Sequence, residues 1–237
     1  MKLVFSLLFS LTFFVIHSQQ SIVTYTKRLL IDDSGKQNIK KVAAINSSFE
    51  KLSFTLRYNK EESIFKMDDF LDDGLSKNLN TALRIGGGNG VYASDKKNKS
   101  LHYIEYFGED YVVDYTTEYK NLNWILDNNS KTINNYLCYR ATTTRTIENP
   151  TGLFNQKIIA WFSPELNSSF GPIGYGGFPG LILSLQIDNI EYTATNIQLN
   201  IIDNDIIEFP KKGKYITYNT YLDISKKLYE KMINRKN

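Results

Sequence analysis

Residues 181–201 read LILSLQIDNIEYTATNIQLNI. Leu181, Leu183, Leu185 and Ile187 alternate with Ile182, Ser184, Gln186 and Asp188, and Ile197, Leu199 and Ile201 alternate with Gln198 and Asn200. A period of two marks half-buried strands, and Asp188-Asn189 supplies a turn between the Leu181 and Tyr192 strands. The same pattern extends outward from this hairpin. Ser21 to Ile31 is β-rich, and Leu52 to Tyr58 alternates and turns through 59–62 into Ser63 to Met67. Val91 to Ser94 pairs with Leu101 to Phe107, followed by Tyr111 to Glu118. Trp124 to Leu126 and Tyr136 to Thr144 form a pair across Asp127 to Ser130, and Gln156 to Phe162 precedes the hairpin. The reading is a mainly β fold: one antiparallel, strongly curved sheet or half-barrel with one or two short helices. A closed barrel or a two-sheet sandwich uses the same pattern.

Two segments depart from it. Leu71, Leu75, Leu79 and Leu83 lie four apart, the spacing of one helical face, with Gly74 inside and Gly86 beyond. Asp223 to Lys236 also has helical spacing, with Ile224, Leu228 and Met232 on one face and Asp223 as N-cap.

The chain has 237 residues, 28 basic and 25 acidic, a net charge of +3, two histidines and one cysteine. A Cys/His zinc site, a CxxC pair and an intrachain disulfide are therefore excluded. The near balance of charge gives no footprint for nucleic acid, and no pattern points to a cofactor. Sixteen tyrosines and fourteen phenylalanines argue for a packed core rather than disorder.

Lys2, the uncharged apolar run from Leu3 to Ile16 and small Ser18 follow the order of a secretory signal peptide, cut after Ser18. The expected domains are thus a signal at 1–18 and one β-rich unit at 19–237. The mature chain would keep His102 as its one histidine and Cys138 as a buried thiol. No later segment is long and apolar enough for a membrane helix.

Most candidate sites have a structural reading. Gly86-Gly87-Gly88-Asn89-Gly90 lacks the Gly-Lys-Ser/Thr ending of a phosphate loop and reads as a turn into the Val91 strand. His102 reads as a surface or hydrogen-bonded strand residue, with Glu105 on the opposite face. The acidic runs at Asp68-Asp69, Asp72-Asp73 and 203–205 lack the calcium-loop pattern. No catalytic or metal-ligating set emerges.

The exception is residues 160–183, AWFSPELNSSFGPIGYGGFPGLIL. Pro164 stops a strand ending in Trp161-Phe162, and five glycines with Pro172 and Pro179 lead back into a strand at Leu181. Pro179-Gly180 suits the centre of a type II turn. The loop reads either as a cap on the open end of a sheet or as a preformed grip for a ligand or partner. On the second reading the binding residues are Trp161, Phe162, Pro164, Glu165, Gly171, Pro172, Gly177, Phe178, Pro179, Gly180, Leu181 and Ile182.

The segment resembles the GLPGLI family of secreted proteins from Bacteroidetes-type bacteria. The family's motif stands as Gly177-Phe178-Pro179-Gly180-Leu181-Ile182, with Phe178 in place of Leu. Its Ala-Trp-Phe-Thr-Pro-Glu-Ile appears as Ala160-Trp161-Phe162-Ser163-Pro164-Glu165-Leu166. Its Gly-Pro is similar to Gly171-Pro172, and its Cys-x-x-Ala-Thr stretch to Cys138 through Thr142. The resemblance is specific over about 124–185. It implies export to the periplasm or outer membrane, or secretion, and no established chemistry.

Two function classes follow. One is a non-catalytic binding or carrier module for an apolar ligand, a peptide or an envelope partner such as an outer-membrane protein. The other is an enzyme using carboxylates or Cys138, with Glu165 as the first acid to test. A structural partner of an outer-membrane complex is a third.

Overall fold

The computed structural model describes residues 19–31, 38–69, 83, 85, 87–97, 99–106, 108–149, 152–202 and 207–234. The expected signal at 1–18, the helix expected from Leu71, Leu75 and Leu79, and the acidic runs at 72–73 and 203–205 lie outside them.

Twelve strands form one sheet: β1 Gln19–Leu29, β2 Phe54–Tyr58, β3 Glu62–Met67, β4 Val91–Asp95, β5 Ser100–Tyr106, β6 Glu109–Asp114, β7 Ile125–Ile133, β8 Tyr136–Asn149, β9 Gly152–Ser163, β10 Leu181–Ile187, β11 Ile190–Ile202 and β12 Lys214–Thr217. Their order is β12-β6-β5-β4-β3-β2-β1-β11-β10-β9-β8-β7. The sheet is curved and not closed, so the barrel and sandwich alternatives fall away. Every pairing is antiparallel except that of β12 with β6, which is parallel. That edge departs from the all-antiparallel expectation, because β12 is reached by a long connection rather than a hairpin.

Bulges bend the strands where the register shifts, in β1 between Gln20 and Ile22 and in β10 between Ile182 and Ser184. The inner face carries Tyr25, Phe54, Phe65, Tyr92 and Tyr192; Phe54 stacks on Phe65 at 5.8 Å and Tyr192 meets Phe65 edge-on at 5.9 Å. Each such ring contributes roughly 1.5–3 kcal/mol by burial.

Helix α1, Ile39–Phe49, was not expected from the sequence. Asn38 caps it by accepting from Lys41 N at 3.1 Å, and Val42, Ile45 and Phe49 bury its inner side. Helix α2, Thr116–Lys120, replaces the second half of the strand expected over 111–118. Asp114 Oδ1 accepts from Thr116 N at 2.9 Å, an Asx turn that ends β6. Helix α3, Tyr218–Asn234, starts five residues before the expected N-cap. Thr217 Oγ1, not Asp223, accepts from Thr220 N at 3.2 Å. Thr217→Ala should therefore cost about 1 kcal/mol in urea unfolding, and Asp223→Ala much less.

The β7–β8 turn also differs from expectation. It is Asn134-Asn135, with φ of 48° and 66°, the double left-handed pair of a type I′ hairpin. Asp127 to Ser130 lies within β7, where the register shifts. The Asp188-Asn189 turn is where the sequence places it, with Asp188 at φ 51°.

Helix α3 follows the edge strand β12 and packs against β6 and against β8 near the opposite edge. Tyr221 meets Tyr106 at 5.6 Å, and Lys226 Nζ reaches Glu148 at 3.5 Å. The helix thus spans the open side of the half-barrel.

Candidate functional site

The segment from Trp161 to Ile182 is mostly core. Phe162 and Phe178 are buried and stacked at 4.8 Å, and Trp124 packs edge-on against Phe178 at 4.9 Å. Gly171, Pro172, Gly180, Leu181 and Ile182 are buried; Pro164, Glu165, Gly177 and Pro179 are exposed. Trp161 is on the opposite face of β9 from Phe162, beneath Lys131 at 4.4 Å from its ring. The sequence residues are therefore not one binding surface.

Gly180 does not adopt the positive φ that a type II turn would require. Glycine is needed there for close approach: a Cβ would sit 2.3 Å from Ser163 O and 2.7 Å from Pro164 N. Gly177 N donates to Ser169 O at 2.8 Å, Leu181 N to Leu166 O at 3.2 Å, and Ile182 N to Phe170 O at 3.1 Å. These bonds tie the loop to its own base.

The loop's apex walls a cleft of about 210 Å³. Ser169, Phe170 and Gly174 to Gly177 form one side; Tyr119, Lys120, Leu122 and Trp124 form another; Ser94, Asp95, Lys99 and Ser100 complete it. Tyr119 Oη donates to Ile173 O at 3.1 Å, and Ser100 Oγ to Gly174 O at 3.4 Å. Ile173 sits at φ 46°, ψ 35°, a left-handed conformation that is rare for a β-branched residue and costs on the order of 1–3 kcal/mol. Asp95 Oδ1 accepts from Lys97 N and Lys99 N, so this carboxylate serves its own turn. Lys99 and Lys120 are exposed at the rim.

A second cavity, of about 510 Å³, includes Glu165, Leu166 and Asn167 with Tyr58, Asn59, Lys60 and Asn200. Glu165 Oε1 accepts from Leu137 N at 3.1 Å. Cys138 is fully buried; burial pushes its thiol up to about 11, and Sγ donates to Tyr136 O at 3.5 Å.

His102 is buried rather than at the surface. It stacks on Tyr92 at 4.0 Å, and Nε2 donates to Asn89 O at 2.8 Å. Burial lowers its pKa to about 4, so it is neutral at pH 7. The glycine-rich turn works with the opposite polarity to a phosphate loop. Its Gly87 carbonyl, with that of Ile85, accepts from Lys27 Nζ, at 2.7 Å for Gly87. Lys27 is 3% exposed, lies over the rings of Phe49, Phe54 and Tyr192, and burial lowers its pKa to about 7.

Sequence reasoning missed the far walls of the cleft. Ser94, Lys99, Tyr119 and Trp124 are remote from the loop in sequence, and sheet order brings them to it. Among the described residues, no group of three or more His, Cys, Asp or Glu is placed to hold a metal ion.

No family model matches this chain, and no curated protein does. Two solved structures of PNGF-II, in space groups P21 and C2, share its fold at 16% identity. The first has a TM-score of 0.56 over 88% of this chain and 33% of that one; the second has 0.54 over 87% and 32%. This chain thus spans about a third of the length of PNGF-II.

Proposed function

We propose that this chain is an exported, non-catalytic binding module of the GLPGLI type, and that its ligand is a short peptide segment held in the 210 Å³ cleft. The observation that carries this reading is the cleft itself: a loop tied down at base and apex faces Tyr119 and Trp124, with two exposed lysines at the rim. A space of that size falls below the usual range for drug-sized ligands but accepts one side chain of a peptide. Lys99 and Lys120 favour an acidic residue beside an apolar one. The placements of Glu165 and Cys138 support the same reading, since one carboxylate caps a backbone N–H and the thiol is buried away from solvent.

The test is a random heptapeptide library panned on the purified protein. Trp161→Phe leaves Trp124 as the one tryptophan, so its fluorescence reports the cleft. Enriched peptides should quench it, and Lys99→Glu with Lys120→Glu should weaken binding by about tenfold or more. Glu165→Gln and Cys138→Ala should leave binding unchanged. Peptides that bind without touching Trp124 would place the site elsewhere.

The export part of the proposal rests on the order Lys2, apolar run, Ser18. Its own check is the mass of the protein recovered from the cell envelope, which should begin at Gln19. Retention of Met1 would overturn it.

A further inference from the structure

Strand β8 carries an arginine whose charge has no carboxylate partner among the described residues. Thr143, Arg145 and Ile147 alternate onto the inner face of β8, where α3 crosses it. Arg145 Nη2 donates to Gln156 Oε1 at 3.1 Å. Its Nε and Nη1 are buried and make no hydrogen bond, and neither do Thr143 Oγ1 and Tyr175 Oη. Guanidinium groups keep their charge in proteins, so this one must be matched by something.

The surroundings are tyrosines. Tyr175, Tyr119, Tyr115 and Tyr218 form a continuous run of rings, with centroids 4.5, 5.5 and 4.8 Å apart in that order. Burial raises the pKa of all four, and the Arg145 charge pulls each back down. The guanidinium therefore sits in a wall of neutral phenols. Neutral rings accompany a cation but do not neutralise it.

Beside this wall lies a cavity of about 240 Å³ between β8 and α3, lined by Ile147, Tyr218, Leu222 and Ser225, with Glu148, Asp223 and Lys226 also around it. Glu148 is paired with Lys226, and Asp223 is exposed, so neither acid answers Arg145. Tyr218 belongs to both places: its ring lines the cavity, and its hydroxyl feels the arginine.

We infer that this space is a binding site for an amphiphilic carboxylate, with the carboxylate on Arg145 and the apolar chain against Ile147, Tyr218 and Leu222. A carboxylate would supply the bidentate acceptor that the guanidinium lacks and could take the Tyr175 hydroxyl as well. The cavity itself shares no lining residue with the peptide cleft, although Tyr175 and Tyr119, which stand around Arg145, also wall that cleft; the inference does not depend on the peptide proposal. Arg145 is not among the residues that line the cavity; Tyr218, which lines it and whose hydroxyl feels the arginine's charge, is the link between the two.

The test is calorimetric titration of the intact protein with sodium decanoate and with decanol, its uncharged counterpart. Decanoate should bind at least about tenfold more tightly than decanol. Arg145→Met should remove that preference while leaving decanol binding in place, and Leu222→Trp, which fills the cavity, should weaken both. Lys99→Glu, at the other cleft, should change neither. Equal binding of decanoate and decanol by the wild-type protein, or no binding of either, overturns the proposal. If Arg145→Met fails to fold by circular dichroism, the wild-type comparison and Leu222→Trp still decide.

Discussion

Gly180→Ala is expected to destabilise the protein by roughly 3 kcal/mol or more, or to prevent folding. The added Cβ would lie 2.3 Å from Ser163 O, 2.5 Å from Ser163 C and 2.7 Å from Pro164 N. All three are backbone atoms, so no side chain can swing aside. They are also held in place, because Ser163 pairs with Leu181 and Phe162 with Ile182 at the β9–β10 junction. Moving them disturbs the Phe162–Phe178 stack and the Tyr25 hydroxyl bond to Ile182 O at 2.7 Å. Gly108→Ala is the control. Gly108 has φ of +80° but nothing within 4 Å of a new Cβ, so only backbone strain of about 1 kcal/mol is expected. Denaturant melts of both variants separate close approach from backbone conformation. A Gly180→Ala cost no greater than that of Gly108→Ala would contradict the account of the loop.

The second large effect is on pH dependence. Lys27 has a folded pKa of about 7, lowered by burial from 10.5. Between those values the unfolded chain holds a proton that the folded chain has released, so stability rises with pH across the window. His102 acts in the same sense at lower pH. Its folded pKa of about 4 lies below the ordinary 6.5, so stability falls as pH drops from 6.5 towards 4. Above about pH 10 the slope should reverse, since Tyr25, Tyr92 and Tyr192 are held neutral by burial while unfolded tyrosines ionise. Unfolding free energy should therefore rise by about 2 kcal/mol between pH 7 and pH 9. Lys27→Met keeps the apolar stem among Phe49, Phe54 and Tyr192 and should flatten that rise. An unchanged slope in Lys27→Met would show that the burial of this ammonium is not what sets it.

These cases show how far the sequence could be read. The 181–201 hairpin was legible because apolar residues recur along both strands and Asp188 tolerates φ > 0, although β10 is buried on both faces rather than half-buried and Leu199 is exposed. The Asn134-Asn135 turn was not, because the polar run 127–130 offered a stronger local turn signal that pairing with β8 overrode. Helix α1 has its apolar residues at Val42, Ile45 and Phe49, but Asn46, Ser47 and Ser48 interrupt the helical pattern. Asn46 instead bonds the main chain of Leu29, accepting from its N at 2.8 Å and donating to its O at 3.0 Å. The sequence reading places Trp161 and Phe162 together on one binding loop, but as successive residues of β9 they face opposite sides of the sheet, and Phe162 is the one that goes into the core.

The site divides in the same way. The importance of residues 160–183 was visible in their glycines and prolines, but their main work is internal. The faces that could meet a ligand come from the loop's apex at 169–170 and 174–177 together with Lys99, Tyr119 and Trp124, and, in the second site, from Arg145. The residues outside the loop sit in segments with no local motif, and their significance arises from the register of distant strands.

Tryptophan fluorescence of the Trp161→Phe protein during titration with a peptide enriched from the heptapeptide library bears most directly on the proposed function. The account predicts saturable quenching of Trp124 that is lost in Lys99→Glu/Lys120→Glu. Binding that leaves Trp124 unperturbed, or a library that yields no enriched sequence, would contradict it.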